Sequence, residues 1–277
     1  MKIALIMYGL VRDMDSTISK FKNLRFNYFK GMSPDIFCVT NDINGTHSTH
    51  RMIDTNSKIQ STNFDKLFKE ILPKNYIVIP FEEELKDTRE TVDILSSKYT
   101  FDPLQPFQNI VSKWYKLNRG LQMVNSNDYD IIVCCRLDCK FIPKFNQSQM
   151  ASATKLHTLS MLWCAEQSFG MSVVKTEEES QRMSTHGYPE DFFYGPSSEI
   201  YVFSEMGEFI KNIDPSYCIF HSETIFNNFL KKKCIVPELI RWSDTMEISD
   251  FKVFDYTIED VGHTYPPTLK TRWITNI

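Results

Sequence analysis

Apolar residues along the first half of this chain fall into two alternating rhythms, short unbroken runs and longer stretches spaced by three or four. Lys2-Ile3-Ala4-Leu5-Ile6-Met7-Tyr8 is an unbroken run that stops at Gly9. It is too short to span a bilayer and predicts a strand covered on both faces. Ile18, Phe21, Leu24, Tyr28 and Phe29 then recur at helical spacing until Ser33-Pro34 ends the pattern, and Asp35-Ile36-Phe37-Cys38-Val39-Thr40 predicts a second strand. Residues 41–60 are polar and read as a loop at the carboxyl edge of the sheet. A second unit follows, with Ser61 as N-cap, Phe64, Leu67, Phe68, Ile71 and Leu72 on a helix, and Tyr76-Ile77-Val78-Ile79 as a strand.

Residues 82–100 mix glutamates and lysines without a clear period and read as a solvated insertion. Phe107, Ile110, Val111, Trp114, Leu117, Leu121 and Val124 predict a long amphipathic helix leading into the strand Asp130-Ile131-Ile132-Val133-Cys134-Cys135. The second half is mixed. It predicts a short strand around 157–164, a polar loop at 175–189, helices at 199–212 and 222–232, a strand at Cys234-Ile235-Val236 and an irregular tail. Ser222 caps the last helix, and the cations at 231–233 suit its carboxyl end. Alternating strands and helices without linker or repeat predict one α/β domain over 1–277, its mostly parallel mixed sheet flanked by helices.

Composition narrows the classes. The chain has 277 residues, 42% apolar and 24% charged, enough for a sizeable core. A net charge of −4 with dispersed basic residues argues against a nucleic-acid surface held by counterion release. Seven cysteines, at 38, 134, 135, 139, 164, 218 and 234, show no Cys-x-x-Cys pair, so they read as packing residues in a reduced cytosol rather than a zinc site. Without a recognisable signal or anchor, the expected location is the cytoplasm. Asn44-Gly45-Thr46 and Asn146-Gln147-Ser148 then read as turns.

Candidate chemistry starts where the strand 130–135 ends in Arg136-Leu137-Asp138-Cys139-Lys140. In an open α/β sheet, ligands sit outside the carboxyl ends of the strands. Arg136, Asp138 and Lys140 share one side of an extended segment. Asp138 suits Mg²⁺ or Mn²⁺ on a diphosphate, or else pairs with Arg136 or Lys140. Arg136 and Lys140 can neutralise a leaving diphosphate or form a surface salt bridge. Gly9 and Arg12 can bring backbone and guanidinium to a phosphate, or form a turn beside a solvated arginine. Tyr8 can stack on a base or pack in the core. Asn41, between Thr40 and Asp42, can bond to base or ribose or simply begin a loop. Lys113, Lys116 and Arg119 lie on the polar face of the long helix, where a solvated face is the plain reading. Glu190-Asp191 precedes an aromatic-Gly turn, Glu223 opens a helix, and His263 lies in the tail.

The residues from Lys2 to Arg12 and from Tyr129 to Asp138, followed by Phe192-Phe193-Tyr194-Gly195 and His221-Ser222-Glu223, resemble a GT-A-type nucleotide-sugar glycosyltransferase. The similarity is to enzymes that build surface polysaccharides in bacteria and large viruses, and it spans roughly residues 1–240. One departure is that Arg136 stands at the first carboxylate position of the usual Asp-x-Asp motif. The resemblance implies a GT-A-like domain with a donor-nucleotide half (1–141) and an acceptor half with tail (142–277). It implies a UDP- or GDP-sugar donor, a glycan acceptor and transfer by direct displacement with inversion, retention staying open. It implies Mn²⁺ or Mg²⁺ on Asp138 and His263, and Tyr8, Gly9, Arg12, Asn41, Lys116, Arg136 and Lys140 around the nucleotide. Asp191, with neighbouring Glu190, is implied as the base on the acceptor hydroxyl. If the source is viral, the location is the host cytoplasm. Two alternatives stay open: a non-catalytic carbohydrate-binding protein of the same fold, and a sugar nucleotidyltransferase, which the lack of a Gly- and Lys-rich loop after the first strand disfavours.

Overall fold

The unbroken apolar runs become neighbouring strands of one sheet. A computed structural model of the chain describes residues 1–11, 14–23, 29, 31–43, 61–99, 107–137, 141–143, 150–159, 190–215, 222–240 and 245–247. Strands β1 (Ile3–Tyr8), β2 (Asp35–Asn41), β3 (Asn75–Ile79) and β4 (Ile131–Arg136) are parallel neighbours. With β6 (His157–Leu159), β7 (Phe192–Pro196) and β8 (Glu238–Ile240) they form a seven-stranded sheet in the order β3-β2-β1-β4-β7-β6-β8. β7 is antiparallel to both β4 and β6, while β6 and β8 are parallel. β5 (Phe141–Pro143) pairs with β9 (Thr245–Glu247) in a separate two-stranded ribbon. The expected α/β class, with a mixed and mostly parallel sheet flanked by helices, is the one the chain adopts.

Double burial explains the missing alternation in β1. Ile3, Leu5 and Met7 enter one core with helices α1 (Met14–Asn23) and α2 (Ser61–Ile71). Ala4, Ile6 and Tyr8 enter the other, beneath α3 (Phe81–Lys98) and α4 (Phe107–Gln122). α4 lies very close to β1, since a Cβ on Gly120 would stand 2.5 Å from Cγ2 of Ile6. The short return from Gln122 to Ile131 runs along the amino edge, so the first turns of α4 stand at the carboxyl edge.

The second half joins the α4 face. The expected helix at 199–212 is α5 (Ser197–Tyr201), a 3-10 segment (Val202–Glu205) and α6 (Met206–Lys211), and α7 (Ser222–Lys232) matches its expected span. Trp114, Phe193, Phe203, Phe226 and Phe229 lock these elements together, with ring centroids 5.9 Å apart for Trp114–Phe226, 4.9 Å for Phe193–Phe203 and 5.3 Å for Phe203–Phe229. Each fully buried aromatic contributes about 2–3 kcal/mol of transfer free energy, before any gain from ring geometry. Among the described residues no helix is long and apolar enough to cross a membrane.

Two expectations are corrected. Residues 82–98 form most of α3, with Glu84, Thr88, Thr91 and Leu95 buried, rather than a solvated insertion. Cys234-Ile235-Val236 is the end of α7 and no strand. Cys234 adopts φ 56°. Its N–H donates to the carbonyl of Lys231 at 3.1 Å, and the Ile235 N–H donates to that of Leu230 at 2.9 Å, a Schellman closure of α7. A cysteine in this left-handed position is strained where glycine is not. Cys234→Gly is expected to raise stability by about 0.5–1 kcal/mol, measured by urea denaturation; an unchanged or lower midpoint contradicts the strain argument.

Candidate active site

Strand order reverses at β1: the chain moves outward through β2 and β3, then returns to place β4 on the other side of β1. The carboxyl ends of β1 and β4 therefore flank the crevice where open α/β sheets bind ligands. Gly9 stands there with φ +115°, a conformation glycine adopts without strain, and its N–H donates to the Val39 carbonyl at 3.1 Å. The Leu137 N–H donates to the Tyr8 carbonyl at 2.8 Å, which carries the β1–β4 pairing up to the rim.

Because β7 is antiparallel to β4, its amino end reaches this same rim and delivers Glu190-Asp191. The Arg136 N–H donates to the Asp191 carbonyl at 2.9 Å, and its guanidinium donates to Oδ1 of Asp191 at 2.6 Å. Strand alternation puts Tyr8, Asn41, Arg136 and Asp191 on the α4 face, continuing the series Ile6, Val39, Cys134 and Phe193 of that core.

Three carboxylate–cation pairs converge beneath and at this rim. Glu84 of α3 meets Lys116 of α4 at 2.6 Å, with 1% and 3% of their side chains exposed. Asn41 donates its amide to the same Glu84 oxygen at 2.7 Å and to the Ile79 carbonyl at 3.3 Å. Burial pushes the Lys116 ammonium below its ordinary pKa; Glu84 opposes that shift and Arg136 adds to it. Lys113 of α4 binds both the Glu190 carboxylate and the Ser222 hydroxyl, with the Lys113 and Glu190 side chains 10% and 3% exposed. Of the three pairs, Arg136–Asp191 alone opens to solvent, at 23% and 28% exposure.

The expected residues therefore divide by setting. Arg136 and Asp191 come together at the rim beside Gly9. Glu190 is buried behind them. Tyr8 takes the packing role: it is fully buried and its hydroxyl donates to the Glu190 carbonyl at 3.0 Å. Burial, above all, pushes its phenol well above the usual tyrosine range. Asn41 and Lys116 sit below the rim as buried partners of Glu84, and Lys113, read from sequence as solvated, is a largely covered cation paired with Glu190. Asp42, expected with Thr40 and Asn41 to bond to base or ribose or to begin a loop, accepts from the Phe81 N–H at 2.9 Å and fixes the amino end of α3 to β2. Glu223 lies in the first turn of α7, where its charge suits the helix dipole.

Arg12, Asp138, Lys140 and His263 lie outside the described residues. Among the described residues no group of three or more His, Cys, Asp or Glu could hold a metal ion. At the opposite rim Lys74, Asn75, Asp128 and Tyr129 help line an open depression of about 270 Å³. There Asp35 is matched by Lys74 at 2.7 Å and by the Tyr129 hydroxyl at 2.7 Å. These two bonds, Lys74 first, hold its carboxyl below the usual range.

No family model matches the chain, and no curated protein does. Among solved structures the chain is similar to the apo form of mouse xyloside xylosyltransferase 1, at 7% identity and a TM-score of 0.45 over 86% of this chain and 85% of that one. It is similar to a galactosyltransferase, LgtC, in complex with donor and acceptor sugar analogs, at 7% identity and a TM-score of 0.44 over 81% and 69%. It is also similar to the Mn/GDP form of core-mannan synthase A from Aspergillus fumigatus, at 12% identity and a TM-score of 0.40 over 83% and 69%.

Proposed function

We propose that the chain is a GT-A-type glycosyltransferase that moves a sugar from a UDP- or GDP-linked donor to a glycan hydroxyl. The observation that carries this reading is the half-open Arg136–Asp191 pair beside Gly9, at the carboxyl edge where strand order reverses. Backbone at Gly9 can approach a diphosphate closely, and the Arg136 guanidinium offers it a fixed fork of donors. The acceptor oxygen forms a bond to the anomeric carbon as the bond to the diphosphate breaks. The electron pair leaves on the diphosphate, stabilised by Arg136 with Arg12 and Lys140, and Asp191 takes the hydroxyl proton. Asp191 suits that contact better than Glu190, whose carboxylate is buried and held by Lys113. Asp138, two residues beyond Arg136, would hold Mn²⁺ or Mg²⁺ with His263, and such a cation supplies further positive charge to the diphosphate. Cys38, Cys134 and Cys135, buried and not joined in disulfides, fit the reducing cytoplasm in which we place the enzyme.

One distance favours a second reading. Inversion sets the base and the leaving-group cation on opposite sides of the reacting carbon, with the sugar between them. Arg136 and Asp191 are 2.6 Å apart. In the second reading both face the diphosphate, the departing phosphate oxygen takes the proton, and the sugar keeps its anomeric configuration. Proton NMR of the first-formed product separates the two.

The test of the function itself is a thermal-shift series with UDP, GDP and their sugars, with and without Mn²⁺, followed by donor hydrolysis. A ligand at a hundred times its Kd is expected to stabilise the native state by about 2.7 kcal/mol. Stabilisation with slow release of free sugar supports the enzyme, stabilisation without release indicates a binding protein, and no response to any nucleoside diphosphate rejects the reading.

A further inference from the structure

The reaction outlined for this rim makes no use of Lys113, although its ammonium joins three elements. It reaches from α4 to the Glu190 carboxylate just before β7 and to the Ser222 hydroxyl that opens α7. Both ends of this bridge rest on rigid ground: α4 is seated on Ile6 at Gly120, and α7 is held by Phe226 and Phe229 in the aromatic cluster. The backbone of the same dipeptide is held from the sheet. Tyr8 donates its hydroxyl to the Glu190 carbonyl, and the Arg136 N–H donates to that of Asp191. A carboxylate as deeply buried as that of Glu190 is tolerated only with a cation beside it, and Lys113 is that cation.

We infer that Lys113 is a positioning residue, its bridge to Glu190 and Ser222 holding the next residue, Asp191, in register with β4 and against Arg136. The bridge fixes the side-chain end of the segment while Tyr8 and Arg136 fix its backbone, so the rim pair keeps one geometry as ligands come and go. The turnover part of this inference rests on the glycosyl-transfer reading; the register part does not.

The test uses Lys113→Arg, Lys113→Met and the double variant Lys113→Met/Glu190→Met. Lys113→Met strands a buried carboxylate and can fail to fold, whereas the double variant removes both charges and is expected to fold. In the folded double variant the Arg136 amide is expected to exchange about tenfold faster than in wild type, with Ile132 and Cys134 unchanged in mid-strand. Its kcat is expected to fall about thirtyfold with the donor KM within about threefold, and Lys113→Arg to restore most of the rate. Unchanged exchange at Arg136, or a folded double variant with wild-type kcat, overturns the inference. If wild type turns over no donor, the glycosyl-transfer reading fails alone, and faster exchange at Arg136 still supports the bridge.

Discussion

Lys116→Met is expected to lower stability by about 3–5 kcal/mol, because it strands a fully buried carboxylate. Among the described residues Glu84 then keeps a single side-chain donor, the Asn41 amide at 2.7 Å, and its Oε1 already has no hydrogen-bond partner. Lys116→Met/Glu84→Leu, which removes both charges, is expected to recover most of the loss, since a buried pair is worth little against apolar residues of similar size. The pair also has a pH signature. Lys116 has a folded pKa lowered by burial, so between that value and the unfolded value near 10.4 the unfolded chain binds more protons. Stability contributed by Lys116 therefore rises with pH through that window, and its full penalty is present below it. Lys74 works in the opposite sense: its ammonium is pushed up first by the hydrogen bond to Asp35, and its contribution is lost as pH rises. Urea denaturation of wild type and Lys116→Met from pH 7 to 10.5 isolates the Lys116 part as a difference curve. A loss under about 1 kcal/mol, or a difference that is flat with pH, contradicts the buried pair.

That pair also shows why part of the molecule was illegible in the sequence. Strands covered on both faces announce themselves as unbroken apolar runs, and α4 announces itself by seven apolar positions at helical spacing. α3 hides because the positions it buries are Phe81, Glu84, Thr88, Thr91 and Leu95, a helical stripe with three polar members. Two of those polar groups are matched inside: Glu84 by Lys116, and Thr88 by the Glu84 carbonyl at 2.7 Å and the Gln108 amide at 2.9 Å. A stripe of this kind looks solvated until its partners are known, and two of them, Lys116 and Gln108, lie on another helix. Lys113 misleads in the same way, since its carboxylate comes from 77 positions along the chain. Arg136 and Asp191 are each conspicuous as charges at the ends of apolar runs. Their contact across 55 positions depends on β7 running antiparallel to β4, which no local pattern specifies. Cys234 misled for a backbone reason, because the glycine that usually marks a helix end is missing there.

Asp191→Asn carries the largest effect expected on function: under transfer with inversion, kcat falls by about 10²–10⁴-fold, the usual worth of a positioned base. The amide keeps the shape of the carboxylate and can still accept from Arg136, but it cannot take the acceptor proton. The pair is about a quarter exposed on each side, so its loss is expected to lower stability by no more than about 1 kcal/mol. Donor KM is expected to stay close to wild type, placing the defect in the chemical step. Arg136→Gln is the necessary companion, because a lost cation at the leaving diphosphate is expected to reduce kcat about 10²–10³-fold under either stereochemistry. If the phosphate oxygen takes the proton instead, Asp191 merely orients Arg136, and Asp191→Asn is expected to lose only about tenfold while Arg136→Gln keeps its full effect. The ratio of the two losses therefore reports the stereochemical course independently of the product anomer. Wild-type turnover in both variants would remove this rim from the reaction altogether, and with it the reason for placing the sugar donor between β1 and β4.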